Sequence, residues 1–370
     1  MKIIMLLSNG FAPDPRVANE ALTLQAAGHQ VTIFAWDRTG QLPKVEDYQG
    51  KGITVVRSQV LTTYSRGPLQ IFRFAAFWKE CRKFLSTNKA DLIHCHDLDT
   101  LLPGVQVGRS RKLPVIFDAH ESYPDMVAHV FPAPVVSFVR LLEKYLVPQT
   151  AAVITVGDVL GRRFQAFRAR RVVIVGNYKK HLLAEPVAVA PPLPLKVIYV
   201  GGLNRDRLLG PLIEAVAGDS RFEFLVVGDG PERQNLTALA AGFANIRFTG
   251  FLPQEQAREL INQNHLVYYG VDPAFPNNQY SAPNSLFMAL AAGRPLVTTA
   301  VGEIAQIVAQ VDCGTVLPDL EKARIVQGLE RYFSAELWQR QSENAFQASK
   351  NIYNWDRAGQ NLIGLYRDLE

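Results

Sequence analysis

Short apolar segments alternate with amphipathic helical patterns along nearly the whole chain. The first half contains seven predicted strands, at Lys2–Leu7, Gln30–Ala35, Ile53–Arg57, Leu92–His94, Val115–Asp118, Ala152–Val156 and Val172–Val175. The second half contains six, at Lys196–Val200, Phe222–Gly228, Ile246–Thr249, Leu266–Tyr269, Leu296–Thr299 and Gly314–Leu317. Strands that alternate with helices predict parallel sheets covered on both faces. The pattern therefore predicts two doubly wound, Rossmann-like α/β domains.

A proline-rich segment, residues 184–194, separates the two halves and is typical of an interdomain linker. We predict an N-terminal domain at residues 1–183 and a C-terminal domain at residues 195–354. Ligands of doubly wound sheets bind outside the carboxyl ends of the strands. Both domains are therefore expected to offer their βα loops to a shared cleft.

Composition narrows the class of protein. The chain has 370 residues, of which 48% are hydrophobic and 20% charged, as in soluble globular proteins. It holds no uninterrupted apolar run of 18 residues, so no transmembrane helix is expected, and Met1–Leu7 is predicted to be a buried first strand rather than a signal peptide. The three cysteines form no C-x-x-C pair, which favours a reducing, cytoplasmic compartment and no structural zinc.

Positive charge is concentrated in the first half. Residues 1–183 hold 24 Lys and Arg against 14 Asp and Glu, a net of +10, whereas residues 184–370 hold 15 against 20, a net of −5. This asymmetry favours an anionic partner. Residues 66–84 mix basic with aromatic side chains, which fits either an amphipathic helix with core aromatics or a surface resting on anionic lipid. No nucleic-acid-binding module accompanies the charge, so nucleic acid is not expected as a partner.

Residues 280–295 predict an anion-binding helix start. A loop is followed by a short helix opened by Pro283 and Asn284, and Gly293 then leads into the next strand. The free N–H groups of a helix start attract anions. Glycines also follow three strands of this half and allow a ligand to approach the backbone. These glycines are Gly201, Gly202, Gly228, Gly230 and Gly250.

Two arginines of the second half, Arg205 and Arg207, stand where they could hold a diphosphate. Taken with the glycine-rich strand ends and the helix start, they make a nucleotide site the preferred interpretation of this half.

Polar residues follow strands of the first half as well. The loop after the first strand carries Gly10, Asp14 and Arg16. His94 and His96 share one face of a strand, but no third His or Cys stands at a familiar spacing, so no metal site is predicted. His120 could bond a hydroxyl, shuttle a proton, or be a satisfied core or capping histidine.

In their order along the chain, several segments resemble glycosyltransferase family 4, the large retaining GT-B group, over essentially the full length. The matching segments are residues 14–17, 28–31, 91–97, 118–121, 200–203, 212–215, 227–231 and 282–295. The resemblance implies that the first domain binds the acceptor and the second the sugar nucleotide. It also implies a final helix, near residues 355–370, that crosses back onto the first domain.

The resemblance also assigns roles by position. His120 would lie near the transferred sugar, and Arg207 would neutralise the leaving diphosphate. On the acceptor side it implies Gly10, Phe11, Asp14, Arg16, His96 and Glu121. On the donor side it implies Gly201, Gly202, Arg205, Arg207, Gly228, Gly230, Gly250, Phe251, Tyr280, Pro283, Asn284, Ser285, Leu286 and Met288.

The chain departs from the family where two glutamates would stand eight residues apart, because Tyr280 and Met288 occupy those positions. Ser285 replaces the lysine of a Pro-Asn-Lys-Leu-Phe-Glu subgroup, and Gly202 replaces a common arginine. A glutamate that accepts bonds from the ribose hydroxyls contributes about 1.5–3 kcal/mol. Methionine accepts such bonds only weakly. These departures are compatible with four interpretations. The donor could bind more weakly, the donor could bind in a different place, the chain could be an inactive relative, or a substitution could have been engineered.

The sequence therefore predicts a cytoplasmic glycosyltransferase, peripheral to the inner face of the membrane. A UDP- or GDP-sugar would be the co-substrate, with no other cofactor and no metal. Transfer would proceed with retention, to a polysaccharide, lipid-linked or other anionic acceptor. The competing interpretation is a catalytically impaired relative acting as a scaffold or subunit. A GT-B epimerase is a third, which would need acids and bases in the cleft.

Overall fold

The computed structural model describes residues 1–12, 14–62, 69–180 and 192–370. These residues form two compact units. Unit 1 comprises Met1–Gly176 with Ala358–Glu370, and unit 2 comprises Asn177–Arg357. The predicted linker at 184–194 lies largely outside the described residues, as does Arg66 of the basic, aromatic segment.

Unit 1 is built on an eight-stranded sheet in the order β3-β4-β2-β1-β5-β6-β7-β8. The strands are β1 (Lys2–Leu7), β2 (Gln30–Trp36), β3 (Val45–Asp47), β4 (Thr54–Ser58), β5 (Leu92–His96), β6 (Val115–Ala119), β7 (Ala152–Thr155) and β8 (Val172–Ile174). Every pairing is parallel except that of β3 with β4. The sequence did not predict β3, because this three-residue edge strand is mostly acidic and carries no apolar alternation.

The helices of unit 1 lie between these strands. They are α1 (Pro15–Ala26), α2 (Leu69–Thr87), α3 (Leu98–Arg111), α4 (Tyr123–Met126), α5 (Ala133–Leu146) and α6 (Asp158–Ala166). Asp14 caps α1 by accepting a hydrogen bond from the backbone N–H of Val17, and Pro15 stands in its first turn.

Unit 2 holds a six-stranded parallel sheet in the order β11-β10-β9-β12-β13-β14. The strands are β9 (Leu195–Val200), β10 (Phe222–Val227), β11 (Ile246–Gly250), β12 (Leu266–Tyr269), β13 (Leu296–Thr299) and β14 (Gly314–Leu317). The helices are α7 (Leu209–Val216), α8 (Arg233–Leu239), α9 (Gln254–Gln263), α10 (Asn284–Ala291), α11 (Gly302–Val311), α12 (Lys322–Glu330) and α13 (Ala335–Asn351). The predicted pair of doubly wound, Rossmann-like domains is confirmed.

The last helix, α14 (Trp355–Arg367), begins in unit 2 and continues in unit 1. Ala358, Leu362 and Leu365 share one face of this helix and are fully buried. Tyr366 is also buried, and its hydroxyl lies 2.6 Å from Nδ1 of His94 on β5. The end of the chain is therefore part of the core of unit 1.

Most aromatic side chains of α2 belong to the core. Phe77 is fully buried and stacks on Trp36, Phe74 meets Trp36 edge to face, and Trp78 donates its indole N–H to the backbone of Asp99. Phe72 is the exception, with 72% of its surface exposed. For residues 72–84 the structure supports the amphipathic helix with core aromatics over the lipid-facing surface.

Candidate active site

In unit 2 the strand order reverses between β9 and β12, which are neighbours in the sheet. Ligands of doubly wound sheets bind at such a reversal, outside the carboxyl ends of the strands. The loop after β9 carries Arg207, and the segment after β12 carries Asn278. An N–H of the Arg207 guanidinium donates to Oδ1 of Asn278 at 3.1 Å and so joins the two loops. A fixed arginine therefore stands at the position in the fold where a ligand is expected.

Arg207 is held by three neighbours. Its guanidinium lies 2.8 Å from a carboxylate oxygen of Asp206 and 5.3 Å from the ring centre of Tyr269, and its side chain is 18% exposed. Arg205, the other arginine predicted here, is exposed. Of the two, Arg207 has the positioned guanidinium that a diphosphate needs.

The predicted glycines lie together where β9, β10 and β11 end. The backbone N–H of Gly201 donates to Val227, and that of Gly228 donates to Gly250. Gly228 has φ of 145°, and a Cβ there would overlap the carbonyl oxygen of Gly201. Gly202 and Gly230 belong to the same two turns, and Phe251, just beyond Gly250, is 77% exposed. The turns after β9, β10 and β11 thus offer a ligand backbone groups and one exposed aromatic ring.

Helix α10 begins at Asn284, and Pro283 occupies its N-cap position. The amine of Lys179 donates to Oδ1 of Asn284 at 2.7 Å. Burial lowers the pKa of Lys179 to about 8. Sequence analysis missed this lysine, because it stands more than a hundred residues before the helix and outside any motif. The amine of Lys179 lies beside the start of α10, where Ser285 stands in place of the subgroup's lysine and offers no amine.

Ser285, Leu286 and Met288 face the interior of unit 2. Met288 is only 5% exposed and Ser285 only 4%, whereas Tyr280, which ends the 3₁₀ turn before α10, is half-buried. Methionine at 288 therefore packs as a core residue, and a glutamate there would need hydrogen-bonding partners.

In unit 1, Asp118 is the centre of a buried polar cluster at the end of β6. Its carboxylate lies 2.8 Å from Arg16 and 3.1 Å from each of His96 and His120. Burial raises the pKa of Asp118, but Arg16 and His120 outweigh burial and hold it well below its usual range. Burial also raises the pKa of Glu20, which lies 3.1 Å from Arg16. Asp118 is therefore held in its ionised form, whereas burial favours the neutral form of Glu20 and so raises its pKa.

His120 stands between two carboxylates and is one-fifth exposed. Nε2 lies 3.1 Å from Asp118, and Nδ1 lies 3.3 Å from Asp97. Burial lowers the pKa of His120, but Asp97 and Asp118 together raise it to about 9. The imidazole is therefore positively charged at neutral pH, and both of its nitrogens face carboxylates. This arrangement does not suit the proton shuttle that the sequence allowed, and it gives the site a fixed positive charge.

Three predicted acceptor-side residues lie deeper than expected. His96 is fully buried, Phe11 is 3% exposed and packs on Tyr48, and the Arg16 side chain is 8% exposed and points into the cluster. These three side chains are covered by their own unit, and their role on the acceptor side stays a prediction. The strand ends were located correctly, but alternation cannot show which face is covered by α1 and α14. Gly10, Asp14 and Glu121 are half-buried.

Four donor groups of the cluster lie within 4.8 Å of one another, from Glu20, His94, His96 and Asp118. The sequence offered no third His or Cys beside the histidine pair, and the fold brings two carboxylates to it instead. However, the guanidinium of Arg16 contacts both carboxylates and supplies the positive charge that a cation would bring. The cluster is thus ion-paired through Arg16 and Asp118, although Nε2 of His94 and Nε2 of His96 have no hydrogen-bond partner among the described residues.

The charge on His120 predicts a pH-dependent contribution to stability. The pKa of His120 is about 9 in the folded protein and about 6.5 in an unfolded chain. The two ion pairs therefore contribute fully below about pH 6.5, and their contribution is lost as pH rises through about 9. We expect urea unfolding to show wild type more stable than His120→Gln by about 2–3 kcal/mol at pH 6. A difference that stays constant up to pH 10 would contradict a charged His120.

Comparison with known proteins identifies both units. Residues 12–178 match the family model described as a glycosyl transferase 4-like domain, and residues 194–334 match that of glycosyl transferases group 1. The alpha-D-kanosaminyltransferase of Streptomyces kanamyceticus is 28% identical over 181 residues, which is 47% of this chain and 45% of that protein. The match thus spans less than half the length of this relative.

Solved structures resemble the whole chain. Sucrose-phosphate synthase from Thermosynechococcus elongatus superposes with a TM-score of 0.79 at 17% identity, covering 100% of this chain and 99% of that one. Anabaena HepE, solved in complex with UDP, has a TM-score of 0.71 at 14% identity, with 100% of both chains covered. At these identities the likeness establishes the GT-B fold.

Proposed function

Because this chain belongs to the family 4, or group 1, glycosyltransferases, we propose that it transfers a sugar from a nucleotide-sugar donor to a glycan or other hydroxyl acceptor. The observation that carries the proposal is Arg207, which is fixed by Asn278 where the strand order of unit 2 reverses. Fold and family membership supply the reaction class, and Arg207 supplies the group that would neutralise the leaving diphosphate. HepE, which shares the fold, was solved with UDP, so a uridine diphosphate sugar is the first donor to test.

The donor would bind at the carboxyl ends of the unit 2 strands. Its diphosphate would meet Arg207 and the start of α10, and its nucleobase would lie over the backbone at Gly250 and the exposed ring of Phe251. As the family implies, transfer would retain the anomeric configuration without a bound metal. A donor phosphate oxygen would accept the proton of the attacking hydroxyl, so positioning and electrostatic stabilisation are the protein's part.

In unit 1, His120 would act through its charge. Its imidazolium, held by Asp97 and Asp118, would be a fixed positive charge, and the family resemblance implies that it lies near the transferred sugar. Asp118 would be a positioning residue, because it touches His120 and Arg16 and is itself fully buried.

Lys179 would add a second cation at the diphosphate. We expect Lys179→Met to weaken the binding of a nucleoside diphosphate about tenfold, because one charge-assisted hydrogen bond is lost. Isothermal titration with the diphosphate and with the bare nucleoside checks this, since the loss should concern the diphosphate alone. Lys180→Met is the matched control, because Lys180 is the exposed neighbour. Equal affinity in the two variants would remove Lys179 from the site.

The proposal is tested by following nucleoside diphosphate release with and without acceptor sugars. A transferase releases the nucleotide faster when the acceptor is present, whereas an epimerase with the same fold releases it without need of an acceptor. Absence of release with every UDP- and GDP-sugar would contradict the proposal.

A non-catalytic role as scaffold or subunit is the second candidate, and the burial of Met288 favours it. A protein of this kind would keep its fold and ion pairs yet show no donor turnover. Turnover gained by Met288→Glu but absent in the wild type would support this alternative.

A further inference from the structure

Helix α5 carries an apolar face that the described residues leave uncovered. Of the thirteen large hydrophobic side chains exposed among those residues, four belong to this one helix. They are Val135 at 41%, Phe138 at 65%, Leu141 at 66% and Tyr145 at 65% exposure. Monomeric soluble proteins expose single apolar residues commonly, but a row of them marks an interaction surface.

These side chains lie along one line of the helix. Phe138, Leu141 and Tyr145 have the spacing i, i+3 and i+7, which places them on a single face. The opposite face is anchored in unit 1 by Val136, Glu143 and Leu146, which are all buried. The exposed row is therefore a second apolar face, separate from the one that packs α5 onto its own unit.

The charged residues of α5 indicate whether its partner is cationic or anionic. Glu143, the acidic residue of the helix, is buried and paired with Arg163 at 2.7 Å. The exposed charged residues of α5, Arg140 and Lys144, are both basic. Arg140 retains one ion pair, at 2.7 Å, to the buried Asp125. A helix that shows aromatic and aliphatic side chains beside basic ones fits the interface of an anionic bilayer.

We propose that α5 rests in the headgroup region of an anionic membrane, with Phe138, Leu141 and Tyr145 inserted. The row stands on a helix rather than in a groove, and Tyr145 brings both an apolar ring and a polar tip, as aromatic residues at membrane interfaces do. The net charge of +10 on residues 1–183 adds attraction to anionic lipid. Every helix among the described residues is too short or too polar to span a bilayer, so the proposed contact is peripheral.

This surface differs from the lipid-facing one that the sequence offered as an alternative. Residues 66–84 fitted either core aromatics or a surface on anionic lipid, and the described aromatics of α2 are largely internal. The proposal concerns unit 1 alone and does not depend on sugar transfer. It would bring the enzyme to lipid-linked acceptors if the transferase proposal holds.

The test is co-sedimentation of the full chain with vesicles of phosphatidylcholine alone and with 30% phosphatidylglycerol. We expect the wild type to bind the anionic vesicles at low salt. The double variant Phe138→Ser, Leu141→Ser should partition onto them at least about tenfold less, because each inserted side chain contributes about tenfold to the partition coefficient. The control is Leu239→Ser with Ile352→Ser, two exposed aliphatic residues of unit 2, which should bind like wild type.

Equal recovery in the supernatant with both kinds of vesicle would overturn the proposal. Binding that survives in the α5 double variant would overturn the assignment to α5. A dimer that dissociates in the α5 variant, with no vesicle binding by either protein, would show that a second copy covers the face instead. Vesicle binding is measured without donor or acceptor, so its outcome is separate from that of the transferase assay.

Discussion

Replacing Asp118 with asparagine is expected to lower the free energy of unfolding of unit 1 by about 3–5 kcal/mol. Asp118 is fully buried and ion-pairs with Arg16 at 2.8 Å and with His120 at 3.1 Å. Asparagine keeps the shape but removes the charge, which leaves the Arg16 guanidinium and the His120 imidazolium without the buried carboxylate that they share. Pulse hydrogen exchange at increasing urea measures the effect, read on peptides from β1, β5 and β6.

The matched control for this prediction is Asp368→Asn. Asp368 lies 2.6 Å from Arg171 in the same unit, but both side chains are about half exposed. An exposed ion pair contributes at most about 1 kcal/mol. Similar losses in the two variants would show that the buried cluster does not depend on the charge of Asp118.

Replacing Arg207 with methionine is expected to weaken nucleoside diphosphate binding by about ten- to a hundredfold. A hydrogen bond to a charged group contributes about 1.5–3 kcal/mol, and Arg207 is the arginine fixed where the strand order of unit 2 reverses. Affinity for the bare nucleoside should change little, because the lost contact is to phosphate. Titration calorimetry of both ligands separates the two effects.

Arg247→Met provides the control for Arg207. The Arg247 side chain lies on β11, is 71% exposed, and its guanidinium is 3.8 Å from the carboxylate of Glu223, a long distance for an ion pair. We expect wild-type affinity from this control. If Arg207→Met also bound the diphosphate like wild type, the phosphate site would have to lie elsewhere in unit 2.

The strands were predictable because each is a short apolar run between glycines or polar residues. Thirteen of the fourteen strands in the described part of the chain differ from the prediction by at most two residues, counted over both ends together, and Leu266–Tyr269 matches fully. The edge strand Val45–Asp47 was missed, because it has one apolar residue and pairs antiparallel. Periodicity identifies buried strands well and polar edge strands poorly.

The site was predictable at the level of strand ends and less so at the level of side chains. The sequence singled out Arg207 and His120, but it did not show that His96 and Arg16 are buried, and it did not identify Lys179. The contacts that decide these cases join residues far apart in the chain, such as His94 with Tyr366 and Lys179 with Asn284. The four-residue spacing of Arg16 and Glu20 on α1 was a local signal of the cluster, as was the pair His94 and His96 on one strand face.

Calorimetric titration of UDP, GDP, ADP and their common sugar conjugates tests most directly whether unit 2 binds a sugar nucleotide. It should be run on the wild type and on Met288→Glu. We expect the wild type to bind one nucleotide with a dissociation constant in roughly the micromolar range. Met288→Glu should bind about ten- to a hundredfold more tightly, because its carboxylate accepts hydrogen bonds from the ribose hydroxyls. Binding seen only in Met288→Glu would indicate a donor site that has been switched off. No binding by either protein would show that unit 2 is not a sugar-nucleotide site.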